Sequence, residues 1–555
     1  MDAHAPAPAA WWKTPGCFLF EEGLMNVTCK RVLSTASLCR VLSIVAALTL
    51  VLLLLPAAAA PALPSLPIQP ILLQLADHQP DAVVGVIVQK ANAGADIEGA
   101  VARLGGVVTR DLHIIRAIAA RLPARAVVEL ARNRDVRWVS LDAPVEGSAK
   151  KPPVGNGAPP SNYFLDTVDV RRVWAMGLRG DGVTIAVVDS GVSKDNDFSK
   201  DNGAASRLTK QVAFSPNASS ALDVYGHGTH IAGIIAGNGR DSTGLYSGIA
   251  PNANLIGLRV SDDTGMAYES GTVAALQWVL DNARTYNIRV VNLSVNSTIE
   301  QSYHTSPLDA ACEILWFNQI VVVVSVGNKG GSNGYNTANA APANDPFVIT
   351  VGASDERGTT ALKDDFIPPY SAHGTTGNGF VKPDIIAPGT NIVSVLSKNS
   401  SWATQYPDRE ALNGEYFRLS GTSMAAPMVA GAVALLLQSE PNLTPDQVKY
   451  RLTRAANTIA GSGNGAYYPY LSIYKAITSQ TNQSANTGTP IAQLLTTGSQ
   501  PVAWGSVNWN SVNWNSVNWN SVNWNSVNWN SVNWNGDFWA EIGVTYIPFF
   551  VASGQ

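Results

Sequence analysis

The sequence predicts an α/β fold, a parallel sheet sandwiched by helices, preceded by a small α+β module of ferredoxin-like order. Three observations carry this. From about residue 170 to residue 478, strand-like runs alternate with helix-like stretches, as expected of strand–helix–strand units. Those runs are apolar throughout rather than apolar at every second position, which is how strands read when both faces of a sheet are buried. Between residues 80 and 141 the order is strand, helix, strand, strand, helix, strand over a much shorter span.

In that leading stretch, residues 83–88 read as a strand and 97–104 as a helix closed by Gly105-Gly106. Residues 114–122 read as one or two strands, 124–133 as a helix opened by Pro123, and 136–141 as the last strand. This sets a module at 78–142. Residues 143–161 are rich in Pro, Gly, Ala and Lys without periodicity and read as an exposed linker. The main domain then spans 162–480. Its strands are expected at 183–188, 255–260, 290–295, 320–326 and 347–351, and its helices at 229–236, 270–284, 308–317, 423–438 and 445–456. The last helix opens with the capping pair Thr444 and Gln447. A polar linker at 481–505 leads to six tandem copies of Ser-Val-Asn-Trp-Asn at 506–535 and a tail at 536–555.

The 555 residues exceed the size at which single cores stop growing, so several segments are expected. A net charge of −4 and the lack of a long basic run argue against nucleic acid as a partner. Residues 1–60 read as a secretion signal: Lys30, Arg31 and Arg40 precede the apolar run 41–55, which is followed by Pro56 and four alanines. At about fifteen residues that run falls short of the roughly 20 that cross a bilayer. Asp2, Glu21 and Glu22 suit such a leader poorly, so translation is expected to start at Met25. Cys17, Cys29 and Cys39 lie in this leader, leaving Cys312, which reads as a buried small hydrophobe.

Three blocks carry chemistry. Asp189 ends an apolar strand and is followed by Ser190-Gly191. His227 stands in Gly226-His227-Gly228-Thr229-His230 at the start of a helix. Ser423 stands in Ser420-Gly421-Thr422-Ser423-Met424-Ala425-Ala426-Pro427 at the start of another. Sites in open α/β sheets form beyond the carboxyl ends of strands, where these positions can converge. A serine hydroxyl is a weak nucleophile until a base takes its proton, and imidazole titrates near neutrality.

Over roughly residues 166–477 these blocks resemble the subtilisin-like serine proteases, which share the chain order Asp, His, Ser. The resemblance implies a triad of Asp189, His227 and Ser423, with His230 a structural residue. It implies an oxyanion hole made by the Asn328 side chain and the Ser423 backbone amide. Ser294, Val295, Asn296 and Gly327 would bind substrate, laid as an added strand along 291–295. Asn296 departs from the glycine common there and narrows or polarises the specificity pocket. The module at 78–142 looks like the propeptide that inhibits many such enzymes, cut from them within 143–161.

These readings together imply a secreted endopeptidase of protein and peptide substrates, made as a self-processed zymogen, with its own propeptide as inhibitor and no cofactor for the chemistry. Structural calcium is not assigned: Asp262 and Asp263 could bind an ion, but surface solvation accounts for them as well. The six repeat tryptophans recur every five residues, a period of neither helix nor strand. They are either a flexible tail or a stack of turns presenting aromatic faces to polysaccharide or another envelope component. The alternative function is a catalytically inert or merely self-cleaving protein that binds the envelope through those repeats.

Overall fold

The computed structural model describes residues 66–147 and 161–501, apart from 93, 201–202, 204, 331–338, 462–465 and 498–499. The leader, most of the 143–161 segment and the repeats therefore lie outside the described residues.

The main domain is built on a nine-stranded sheet. Its order is Asn457–Ala460, Tyr467–Tyr470, Ile385–Pro388, Ile349–Ser354, Val321–Ser325, Ile288–Leu293, Thr184–Asp189, Asn254–Arg259 and Leu208–Ala213. Every pairing is parallel except that between Asn457–Ala460 and Tyr467–Tyr470. Thr184–Asp189 and Val321–Ser325 are buried along their whole length, which is why they read as continuous apolar runs. Helices His227–Ala236 and Thr422–Ser439 pack against one another and against the sheet, while Glu269–Tyr286 and Pro307–Phe317 pair with each other on the sheet's other side. The helix Pro445–Arg454 has the expected reciprocal cap, Thr444 accepting from the Gln447 backbone and Gln447 from the Thr444 backbone. Cys312 is fully buried in Pro307–Phe317.

The leading module is a four-stranded antiparallel sheet ordered Val107–Leu112, Ala117–Pro123, Val83–Lys90, Val136–Leu141. With the helices Ile97–Arg103 and Ala124–Ala131, this is the expected β-α-β-β-α-β arrangement. Three details differ from the sequence reading. The second strand is Val107–Leu112, and His113–Ile115 forms a single 3₁₀ turn ended by Arg116 at φ 51°. A further helix, Pro70–His78, buries Leu72 in the module's core, and Gln69 N donates to the Val139 carbonyl, so the module reaches back to residue 66. The segment from 143 is also not an exposed linker throughout, because Pro144–Gly147 is a strand.

The module docks on the helices that cover the main sheet. Alternation along its strands divides the side chains between two cores. Val86, Val88, Ile118 and Ala120 face the module's own helices, whereas Ile87, Ala117 and Ala119, with Leu112, Ile114 and Ile115, join the core of the main domain. Asp142 supplies a cap to the helix Glu269–Tyr286, whose own N-cap residue has none: its carboxylate accepts from Ser270 N at 2.9 Å and Ser270 Oγ at 2.7 Å.

Candidate functional site

The carboxyl ends of the three adjacent strands Thr184–Asp189, Ile288–Leu293 and Val321–Ser325 meet the N-termini of the helices carrying His227 and Ser423. This is the crevice where ligands bind in open α/β sheets. His227 Nδ1 lies 2.7 Å from Asp189 Oδ1, and both residues are 2% exposed. Burial pulls the imidazole's pKa down, but the charge of Asp189, its hydrogen bond and the charge of Asp223 together outweigh this and leave it above its ordinary value. His227 Nε2 is buried with no hydrogen-bond partner. Ser423 Oγ donates to the Ser294 carbonyl at 3.3 Å.

The glycines of the histidine block are required by space. A Cβ on Gly228 would come 2.1 Å from the Gly191 carbonyl oxygen, and Gly226 has φ 112° with Ser400 Oγ at 2.7 Å from a built Cβ. His230 Nε2 donates to the Phe417 carbonyl at 2.9 Å and faces that of Ile392 at 3.3 Å, both on the segments that flank the histidine helix. Burial and the nearby His227 push its pKa down to about 3, against those two carbonyls. It is neutral, and its contacts are structural.

Asn328 Oδ1 accepts from Thr422 N at 3.0 Å and Thr422 Oγ1 at 3.1 Å. This fixes the amide one residue from Ser423, with the nitrogen as the end turned away from Thr422. Ser294 Oγ also donates to the Ser423 carbonyl at 3.3 Å. Asn296 is buried and its Nδ2 donates to Ser325 O at 3.0 Å and Ser325 Oγ at 3.2 Å. Its side chain therefore crosses from the Val295–Ser297 strand towards Gly327, whose φ is 101°.

A peptide strand already occupies the groove beside these residues. Pro144–Gly147 pairs antiparallel with Val295–Ser297 on one side (Gly147 with Val295, Glu146 with Asn296, Val145 with Ser297) and with Ala267–Tyr268 on the other. A Cβ built on Gly147 would be 3.7 Å from His227 Cε1. Val145 is buried, and Glu146 reaches Lys329 Nζ at 2.6 Å.

Two contributors had no motif in the sequence. Asp223, 2% exposed, accepts from Ser190 Oγ, Gly226 N, Thr229 N and Thr229 Oγ1, tying the turn after Asp189 to the turn before His227. Only its place four residues ahead of His227 hints at this. Trp402 packs edge-on to the His227 ring at 5.5 Å between centroids, a contact between segments distant in the chain.

Of the two acids considered for an ion, Asp262 Oδ1 accepts from Thr264 N and Oγ1 and from Met266 N. Asp263 accepts from Ser219 and Arg259. They order a surface turn. A different group, Asp195, Asp197 and Asp241, offers carboxylate oxygens within 4.8 Å of one another. Such oxygens suit a hard cation such as calcium.

The sequence model of the subtilase family, peptidase S8, matches residues 180–489. Serine protease AprX of Bacillus subtilis (strain 168) is 35% identical over 326 residues, covering 57% of this chain and 66% of AprX. Subtilisin E of the same organism is 29% identical over 378 residues, covering 68% of this chain and 84% of subtilisin E. The crystal structure of fervidolysin from Fervidobacterium pennivorans, a keratinolytic enzyme related to subtilisin, shares the fold: TM-score 0.53 at 24% identity, over 72% of this chain and 61% of that one. The chain belongs to the subtilase family and is a subtilisin-like serine protease, a hydrolase of peptide bonds.

Proposed function

We propose that the chain is a secreted endopeptidase, made as a zymogen, that cleaves proteins through Asp189, His227 and Ser423. Ser423 Oγ attacks the scissile carbonyl as His227 Nε2 takes its proton and later returns it to the leaving amine. Asp189 holds the tautomer with the proton on Nδ1 and stabilises the imidazolium. The Asn328 amide and the Ser423 N–H receive the oxyanion. Collapse of that intermediate leaves an acyl-enzyme, which water resolves by the same proton route. The chemistry draws on side chains and backbone alone; a cation at Asp195, Asp197 and Asp241 would serve stability.

The observation that carries this reading is the strand Pro144–Gly147, held in the groove as an extended substrate would be and ending against His227. The module at 66–142 is then an inhibitor joined to its own blocking strand, and the cut falls one or two residues after Gly147. Substrate strands take the same place along Ser294, Val295 and Asn296, facing Gly327. Export rests on the basic, apolar, small order of residues 25–60. A fluorophosphonate probe tests the central assignment. The processed enzyme should be labelled at Ser423, and the Ser423→Ala chain should take no label; a label on another serine would remove Ser423 from the mechanism.

A further inference from the structure

Residues 490–495 follow the last helix of the catalytic domain, in a stretch that reads as linker from sequence. They are anchored to that domain. Tyr303 Oη donates to the Pro490 carbonyl at 2.9 Å, Ala492 N donates to both carboxylate oxygens of buried Glu313 at 3.0 and 2.9 Å, and Ala492, Leu494 and Leu495 are buried.

Two carbonyls of the same segment are offered to the leading module. Gln89 Nε2, on Val83–Lys90, donates to Leu494 O at 2.9 Å and to Ile115 O at 3.0 Å. Arg137 Nη2, on Val136–Leu141, donates to Gln493 O at 2.5 Å. Gln89 is buried, so separating the two parts costs a buried amide one of its acceptors. The Arg137 contact has a charged donor, the stronger kind. Neither residue belongs to the strand that fills the groove, so these contacts hold the module at a second place.

We propose that residues 490–495 form a clamp on the cut module that sets how fast it leaves, so that trimming the chain after Thr489 frees the enzyme. The proposal rests on the reading of the module as an inhibitor. After the cut the module is a separate fragment, held by the groove strand, the helix-facing apolar surface and this clamp. Removing one of three linked attachments acts on dissociation more than on association.

The test uses the full chain, allowed to process itself, with module release followed as peptidase activity recovered on dilution and as module retained on co-purification. Gln89→Leu and Arg137→Ala alter only the fragment that departs, so the mature enzyme keeps its sequence, kcat and KM. Together they should speed release by roughly 30-fold, the sum of one neutral and one charge-assisted hydrogen bond. A chain ending at Thr489 should release equally fast, and one ending at Pro501, which keeps the clamp and loses the repeats, at the wild-type rate. Combining the module variants with the Thr489 ending should add little, because both remove the same contacts. Wild-type release from Gln89→Leu/Arg137→Ala, or effects that simply add, would overturn the clamp. A wild-type complex fully active while it still retains the module would overturn the inhibitor reading, and the clamp with it.

Discussion

The two largest sheets among the described residues bury their faces differently. The nine-stranded sheet is covered on both sides by helices of its own domain. The four-stranded sheet has its own helices on one side only, and its other side is closed by Glu269–Tyr286 and Pro307–Phe317 of its neighbour. Ile87, Leu112, Ile114 and Ile115 are therefore core residues only while the two parts stay together. The catalytic domain can lose the module and keep its core, whereas the module that leaves exposes a large apolar face. That asymmetry fits the role proposed for the module, an inhibitor that leaves after it is cut.

The polar groove and the apolar interface can each be broken separately. The largest effect short of losing the nucleophile should follow from Asn328→Ala. Its amide is the proposed oxyanion donor, and losing such a donor should lower kcat by about a hundred- to a thousandfold with a smaller change in KM. An unchanged kcat in peptide hydrolysis would take Asn328 out of the mechanism. Next is Ile115→Ala, which leaves a cavity in the shared core. Large-to-small changes of this kind cost about 2–5 kcal/mol, so the cut module should dissociate at least about 30-fold faster while the released enzyme keeps its kinetics. Release at the wild-type rate would mean that the face is not borrowed.

A smaller effect is expected from pH. His113 lies between Asp111, at 2.7 Å from Nδ1, and Asp281 of the catalytic domain, at 3.8 Å from Nε2. The Asp281 carboxylate first, then Asp111, acting against burial, raises its pKa to about 9. Release removes Asp281 but leaves Asp111 beside the ring, so the Asp281 attraction is fully present while His113 is protonated in both states and is lost as pH rises through about 9. Release should accelerate a few-fold between pH 7 and pH 10, and His113→Gln should flatten that part of the profile. An identical profile in the variant would exclude His113 as its source.

What the sequence disclosed follows the same division. Strands such as Thr184–Asp189 and the capped helix Pro445–Arg454 were legible within a few residues, because their apolar runs and end signals are local. The pairing of Asp189 with His227 was legible because each lies in a local motif, the histidine between two glycines that space requires. Contacts made between parts were not. Ile114 and Ile115 look like strand residues because they are apolar, yet they lie in a 3₁₀ turn and are buried by another domain. Residues 144–147 look like linker because their pairing partners lie more than a hundred residues away. Trp402 reaches His227 from a segment distant in the chain, so no spacing marks it, and Asp223 is marked only by its place four residues ahead of the histidine.

The central claim is that the strand ending at Gly147 is the enzyme's own first substrate. Intact-mass measurement of the wild-type and Ser423→Ala chains, expressed side by side in a protease-deficient host, tests it most directly. The account predicts that the wild type yields two fragments divided one or two residues after Gly147, and that the Ser423→Ala chain stays undivided there. Division of the Ser423→Ala chain at the same bond and the same rate would show that another enzyme makes the cut, and would contradict the account.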